Sequence, residues 1–133
     1  MVIHHLGLKV AASKYAEVLA WYEAALAPLG YKIDFHGPKG DVVGFRDGDG
    51  NLDWWVYSVD VDEVNIKIHL AFEGFDEESV KEFYKEAIKA GGTDNGGPGL
   101  RAPNFYAAFV LDPVGNNIEV VYTGPSSSGS KRG

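Results

Sequence analysis

Residues 104–123, NFYAAFVLDPVGNNIEVVYT, decide how the rest of the chain is read. Phe105, Ala107, Phe109 and Leu111 alternate along one arm, and Ile118, Val120 and Tyr122 along a second, the period-two pattern of strands with one buried face. Between them, Asp112-Pro113-Val114-Gly115-Asn116-Asn117 is a turn, because Pro113 presets its φ while the glycine and the asparagines tolerate left-handed backbone. The stretch is therefore a β-hairpin. Glu119 breaks the second arm: it lies on the face opposite Ile118, Val120 and Tyr122 and points into either solvent or a shared cavity.

Upstream, residues 64–73 (VNIKIHLAFE) alternate as another strand. Asp76 or Ser79 opens a helix with Val80, Phe83, Tyr84, Ala87 and Ile88 on one face, and Gly91-Gly92 ends it. A polar, glycine-rich loop over residues 93–103 leads into the hairpin. The first half of the chain has the same plan. Residues 2–10 alternate as a strand with Ile3, His5, Gly7 and Lys9 on one face, and Ser13 caps a helix that Pro28 and Gly30 stop. Short strands are expected at residues 31–36, 41–46 and 53–59, separated by Gly37-Pro38-Lys39-Gly40 and Asp47-Gly48-Asp49-Gly50-Asn51.

The two halves correspond in one order at nearly one offset. His5-Leu6-Gly7-Leu8-Lys9 matches His69-Leu70-Ala71-Phe72-Glu73 at an offset of 64, Trp21-Tyr22 matches Phe83-Tyr84 at 62, Gly30 matches Gly92 at 62, and Phe45 matches Phe109 at 64. Each half reads β-α-β-β-β, so an internal repeat defines the fold. The expectation is an α+β domain of two βαβββ repeats over residues 1–123, with repeat one at about 2–59 and repeat two at about 64–123. Residues 124–133, GPSSSGSKRG, have no apolar side chain to anchor them and are expected to be disordered.

Composition narrows the function. A chain of 133 residues, 45% of them hydrophobic, makes one core. A net charge of −7 with no basic cluster argues against nucleic acid or an anionic membrane as the main partner. With no cysteine there is no disulfide, thiolate metal site or cysteine nucleophile. No signal peptide and no apolar run of transmembrane length is read, so a soluble cytoplasmic protein acting on a small molecule is expected. Phosphate-binding loops, nucleophile elbows and dinucleotide fingerprints are missing.

Three residues could carry chemistry: His5 and His69, which hold equivalent places in the repeats, and Glu119. Two imidazoles and a carboxylate are a common ligand set for a divalent metal, and pairing of the halves would bring them together. On these residues, and on IHHLGLKV, IHLAFEG, AGGTDNGGPGLR (residues 90–101) and FYAAFVLDPVGNNIEVV, the chain resembles the vicinal oxygen chelate superfamily across residues 2–123. That superfamily includes glyoxalase I, extradiol dioxygenases, fosfomycin-resistance proteins and bleomycin-binding proteins.

The resemblance implies the glyoxalase/bleomycin resistance/dihydroxybiphenyl dioxygenase fold, with cupped mixed sheets. It implies His5, His69 and Glu119 as ligands of a divalent ion (Zn, Ni, Mn or Fe), and Lewis-acid catalysis on a small oxygenated substrate chelated to it. Glu119 then stays on the metal or leaves it to act as the catalytic base. Lyase, isomerase, dioxygenase and transferase chemistry all remain open on this scaffold, as does a metal-free protein that sequesters a small molecule. The resemblance also implies a homodimer with shared sites, His5 from one subunit and His69 with Glu119 from the other.

The resemblance to glyoxalase-type members implies that a fourth ligand, a second carboxylate, would come from the last strand of repeat one. Aligning Asn51-Leu52-Asp53 with Asn117-Ile118-Glu119 puts Asp53 there, whereas keeping Gly50 in step with Gly115 puts Trp54 there; a three-ligand site is the favoured reading. Arg101 is expected to hold a substrate carboxylate or phosphate. Tyr106 and Trp54 are expected to line the substrate pocket, although for Trp54 and Trp55, which point to opposite faces, core is the simpler reading. His4 and His36 are assigned no role.

Overall fold

The computed structural model describes residues 3–125; Val2, expected in the first strand, and most of the expected disordered tail lie outside the described residues. Strands β1 (Leu6–Ala11), β2 (Lys32–His36), β3 (Val42–Arg46) and β4 (Leu52–Val59) form one sheet in the order β1-β4-β3-β2, with helix α1 (Tyr15–Leu26) between β1 and β2. Strands β5 (His69–Glu73), β6 (Thr93–Asp94), β7 (Gly99–Ala102), β8 (Phe105–Leu111) and β9 (Asn117–Tyr122) form the second sheet, with helix α2 (Glu77–Lys89) after β5. Its order is β5-β9-β8-β6, and β7 also pairs with β8. In each sheet the first strand runs parallel to the last and the remaining pairs are antiparallel. This is the expected α+β pair of mixed sheets.

Element ends differ from the sequence reading for identifiable reasons. The strand expected from residue 64 begins at His69, because its partner β9 begins only at Asn117; before that point Ile68 is held by the side chain of Asn116, whose Oδ1 accepts from Ile68 N at 2.9 Å. Likewise β1 starts at Leu6, opposite Trp54, which leaves His5 just ahead of the strand. Ser13 does not cap α1: residues Ala12–Lys14 form a 3-10 turn, and the helix starts at Tyr15 with no side-chain cap. Asp76 does cap α2, its Oδ1 accepting from Ser79 N at 2.8 Å while Ser79 Oγ accepts from Asp76 N at 3.3 Å, a reciprocal capping box. The loop expected over residues 93–103 contains two short strands, β6 and β7.

One core serves both halves. Trp21, Tyr22 and Leu26 of α1, Val80, Phe83 and Ala87 of α2, and Trp54, Val56, Val110, Ile118 and Val120 from the sheets are all buried together. Two polar links cross between repeats inside this core. Trp21 Nε1 donates to the Ala87 carbonyl at 3.0 Å, and Tyr22 Oη donates to Asp112 Oδ2 at 2.5 Å. Gly92 is required where the helices meet, since a Cβ there would lie 2.8 Å from Trp21 Nε1 and 2.5 Å from Val110 Cγ1.

Asp112 is 3% exposed, and it ties the β8–β9 turn together as well as binding Tyr22. Its Oδ1 accepts from Val114 N at 3.0 Å and Asn116 N at 2.9 Å, and its Oδ2 accepts from Asn116 Nδ2 at 2.9 Å. Burial, then the neighbouring Asp112 carboxylate, pushes the Tyr22 phenol well above its ordinary range, so it remains a donor at all physiological pH. Tyr22→Phe removes one donor from a buried carboxylate and is expected to destabilise the fold by about 1–3 kcal/mol. Urea unfolding checks this, and an unchanged midpoint with an unchanged slope would show that the bond contributes nothing.

Candidate functional site

Each sheet has one face against the core and one turned away from it. On the second sheet the outward face carries His69, Ala71, Phe109 and Glu119, because Ala71 stands opposite Glu119 on one side and Phe109 opposite it on the other. His69 Nε2 lies 3.2 Å from Glu119 Oε1. The ring of Phe109 stacks near that of His69, with centroids 6.3 Å apart and planes at 22°, and the guanidinium of Arg101 lies 5.5 Å from the Phe109 centroid on a hydrogen bond of 2.6 Å to the Gly97 carbonyl. Glu119 is 5% exposed, while His69 opens to solvent.

The other nitrogen of His69 decides what this pair can do. Nδ1 lies 3.0 Å from the carbonyl oxygen of Asn117, which can only accept, so Nδ1 carries the proton. In the neutral ring Nε2 then presents a lone pair to a carboxylate oxygen. Two acceptors facing each other at 3.2 Å are satisfied by a proton or a cation between or beside them. A buried carboxylate and an imidazole whose tautomer is fixed by backbone are also donors of the kind a divalent metal takes, so the residues present fit such an ion.

His5 stands on the other sheet, exposed ahead of β1, with its Nδ1 2.8 Å from that of His4 and its ring 6.3 Å from the Trp55 centroid. Among the described residues no three His, Cys, Asp or Glu side chains gather into a metal-holding group. A single chain thus brings His69 and Glu119 together, with Arg101 close by on Phe109, while His5 borders a cleft with Ala71 and does not join that pair.

The remaining sequence assignments separate by face. Tyr106 sits opposite Tyr122 and faces the core, on the side of the sheet away from Glu119, so it does not line this site. Trp54 is 1% exposed, packed between Tyr22 and Phe72 at centroid distances of 5.3 and 5.7 Å. It too belongs to the core, and it also borders the cleft that His5 and Ala71 line. The residue that sequence reasoning missed is Phe109, which lies directly across from Glu119. The alternation of β8 was visible, but which side chain faces Glu119 depends on the cross-strand register, which the turn fixes.

Register also shows which residue of the first sheet corresponds to Glu119. The turns of the two repeats superpose at an offset of 65: Asp47 Oδ1 accepts from Asp49 N and Asn51 N at 2.9 and 2.8 Å as Asp112 does from Val114 N and Asn116 N, and Gly50 and Gly115 both have left-handed φ, 94° and 90°. Beyond the turn, Arg46 pairs with Leu52 but Phe45 pairs with Trp54, so Asp53 is an extra residue in β4, a β-bulge. Leu111, Val110 and Phe109 pair with Asn117, Ile118 and Glu119 without such a step. The counterpart of Glu119 is therefore Trp55, opposite Gly7 and Gly44, and neither Asp53 nor Trp54. The same comparison puts Gly44, not Phe45, in the place of Phe109.

Asp53 has a structural duty instead. Its Oδ1 accepts from Tyr31 Oη at 2.8 Å beside a cleft of about 330 Å³ that Phe72 and Phe75 also line. Burial raises its carboxyl above the ordinary range. A folded-state pKa raised above the unfolded value of about 4 gives a contribution present below that value and lost as pH rises through the raised one. Asp53→Asn keeps an acceptor for Tyr31 and removes the half-buried charge. Its melting temperature is expected to match or exceed that of the wild type at pH 7, with the gap closing toward pH 3. A variant less stable by the same margin at both values would contradict this.

Comparison with known proteins agrees with the fold. The sequence matches the model of the Glyoxalase/Bleomycin resistance protein/Dioxygenase superfamily over residues 2–120, and the chain belongs to that family. Among solved structures, a glyoxalase-related enzyme from Fulvimarina pelagi is 15% identical with a TM-score of 0.70, over 98% of this chain and 96% of that one. A glyoxalase/bleomycin resistance protein from Albidiferax ferrireducens T118 is 22% identical with a TM-score of 0.65, over 86% and 94%. A lactoylglutathione lyase from Agrobacterium tumefaciens is 19% identical with a TM-score of 0.60, over 87% and 90%. No curated protein matches the sequence. Among the described residues no helix is long and apolar enough to cross a membrane.

Proposed function

We propose that this protein is a divalent-metal-dependent enzyme of glyoxalase or dioxygenase type, acting on a small substrate that presents two oxygens to the metal. The observation that carries the reading is the pair formed by His69 Nε2 and Glu119 Oε1 at 3.2 Å, with Nδ1 committed to the Asn117 carbonyl. His69, Glu119 and His5 are the ligands in this reading. A divalent ion held by them supplies Lewis acidity to the substrate's oxygens. Glu119, buried against Phe109, is the group placed to accept a proton from the substrate, and Arg101, braced on the same ring, balances a substrate anion.

His5 reaches the other two ligands from a second copy of the chain. The outward faces support this reading: Phe35, Tyr57 and Phe105 are each more than a third exposed on a lone chain, which leaves apolar area that a partner sheet would cover. A homodimer of this kind has two equivalent sites, each with His5 from one subunit and His69 and Glu119 from the other.

Mixing tests metal and assembly together. Purified without chelator, the wild type should carry about one divalent ion per chain, and His5→Ala and His69→Ala should each carry little. In their heterodimer one site lacks both histidines and the other is intact, so about half of its sites should fill. A heterodimer as metal-poor as either parent overturns the shared site, and equal metal in wild type and His69→Ala overturns the metal reading. The second reading, a metal-free protein that sequesters an aromatic or cationic small molecule, draws on the exposed aromatic side chains and the acidic balance. It requires ligand binding that survives EDTA.

A further inference from the structure

The structure assigns Trp55 as the residue that sets the character of the proposed site on the His5 side: it takes the place of a fourth protein donor and gives the ligand a flat apolar wall. This inference rests on the reading of His5, His69 and Glu119 as the metal ligands. Its own basis is the register. Gly7 stands opposite Trp55 as Ala71 stands opposite Glu119, and Gly44 stands opposite Trp55 as Phe109 stands opposite Glu119. Repeat symmetry would give the first sheet a side chain at this point equivalent to the Glu119 carboxylate, and the chain puts an indole there.

The surroundings are shaped for the ring. A Cβ on Gly44 would lie 3.1 Å from Trp55 Cζ3 and 3.2 Å from Cε3, so the six-membered ring rests directly on backbone that a side chain would push it from. Phe35 packs against one side of it, with centroids 5.3 Å apart, and the indole Nε1 is turned toward the Leu52 carbonyl at 3.2 Å and so donates within its own strand. The His5 ring lies edge-on to it, with centroids 6.3 Å apart. An indole has no lone pair to offer a metal, so an ion held by His5, His69 and Glu119 would have three protein donors and would leave its other positions to ligand oxygens. Those oxygens then belong to a molecule whose flat, ring-bearing portion lies along Trp55 and Phe35. The chemical class is a planar oxygen chelator, preferred over an aliphatic one with the same donor oxygens.

Two measurements test the assignment, with Zn²⁺ alone and with two probes. In competition against a chromophoric chelator, Trp55→Glu and Trp55→His should bind Zn²⁺ roughly tenfold or more tighter than wild type, because each restores a donor, while Trp55→Phe should match wild type. By calorimetry on the zinc-loaded protein, 2-hydroxybenzoate should bind tighter than 2-hydroxypropanoate. Trp55→Leu should weaken the first by roughly fivefold or more and leave the second within about twofold, and Trp55→Phe should retain the preference. If both donor variants, folded by circular dichroism, bind Zn²⁺ no more tightly than Trp55→Phe, the donor position is wrong. If Trp55→Leu weakens both probes alike or neither, the wall is wrong. In either case wild-type zinc binding leaves the three-ligand reading standing, whereas a wild type that takes up no zinc removes that reading and this inference together.

Discussion

The buried carboxylate of Asp112 is the group on which both the fold and the site depend. It closes the β8–β9 turn through two backbone amides and the Asn116 side chain, and it takes the phenol of Tyr22 from the opposite repeat. A carboxylate at 3% exposure is tolerable only with its lone pairs occupied, and here four donors occupy them. The effect travels further along the chain. Asn116, oriented by Asp112, receives Ile68 N, and Asn117 N donates to the Ile68 carbonyl at 3.0 Å, which starts β5 at His69. The Asn117 carbonyl then receives His69 Nδ1. One turn thereby joins the repeats and sets the tautomer of the histidine beside Glu119.

Much of this was legible in the sequence because it rests on short-range chemistry. The repeat, the hairpin and its turn residues, and the two helices follow from period and punctuation, and the outward placement of Glu119 follows from alternation alone. Partner-dependent features were not legible. The start of β5 is set by where β9 begins, and the open end of α1 by a 3-10 turn that Ser13 gave no sign of. Tyr106 resembles a pocket residue because it is aromatic on a strand near the site, but it faces the core because alternation relative to Glu119 sends it there, whereas Trp54 lies in the core as the simpler reading has it.

The residue corresponding to Glu119 in the first sheet is not legible in the sequence for a sharper reason. Both alignments of the repeats assumed that strands β4 and β9 keep step with each other after their turns. They do so for one residue, and then Asp53 inserts itself. Side chains alternate strictly, so a single inserted residue exchanges inward for outward along the remainder of the strand. No local signal in GNLDWW marks this, since a bulge is specified by what its extra residue touches. Here that contact is Tyr31, more than twenty positions earlier.

The adjacent tryptophans of β4 give this bulge an unusual setting. Hydrophobic patterning normally specifies strand register, because a slip would expose the buried set and bury the polar one. At Trp54-Trp55 that safeguard is weak: either register delivers one indole to the core and one to the outward face, and both would look well packed at that step. Selection between two nearly degenerate pairings therefore falls to polar groups, the Asp47 turn on one side and the Tyr31–Asp53 bond on the other. The geometry around His5 is thus held by a few hydrogen bonds at the sheet's rim, whereas the opposite half of the molecule fixes its site from the buried centre outward.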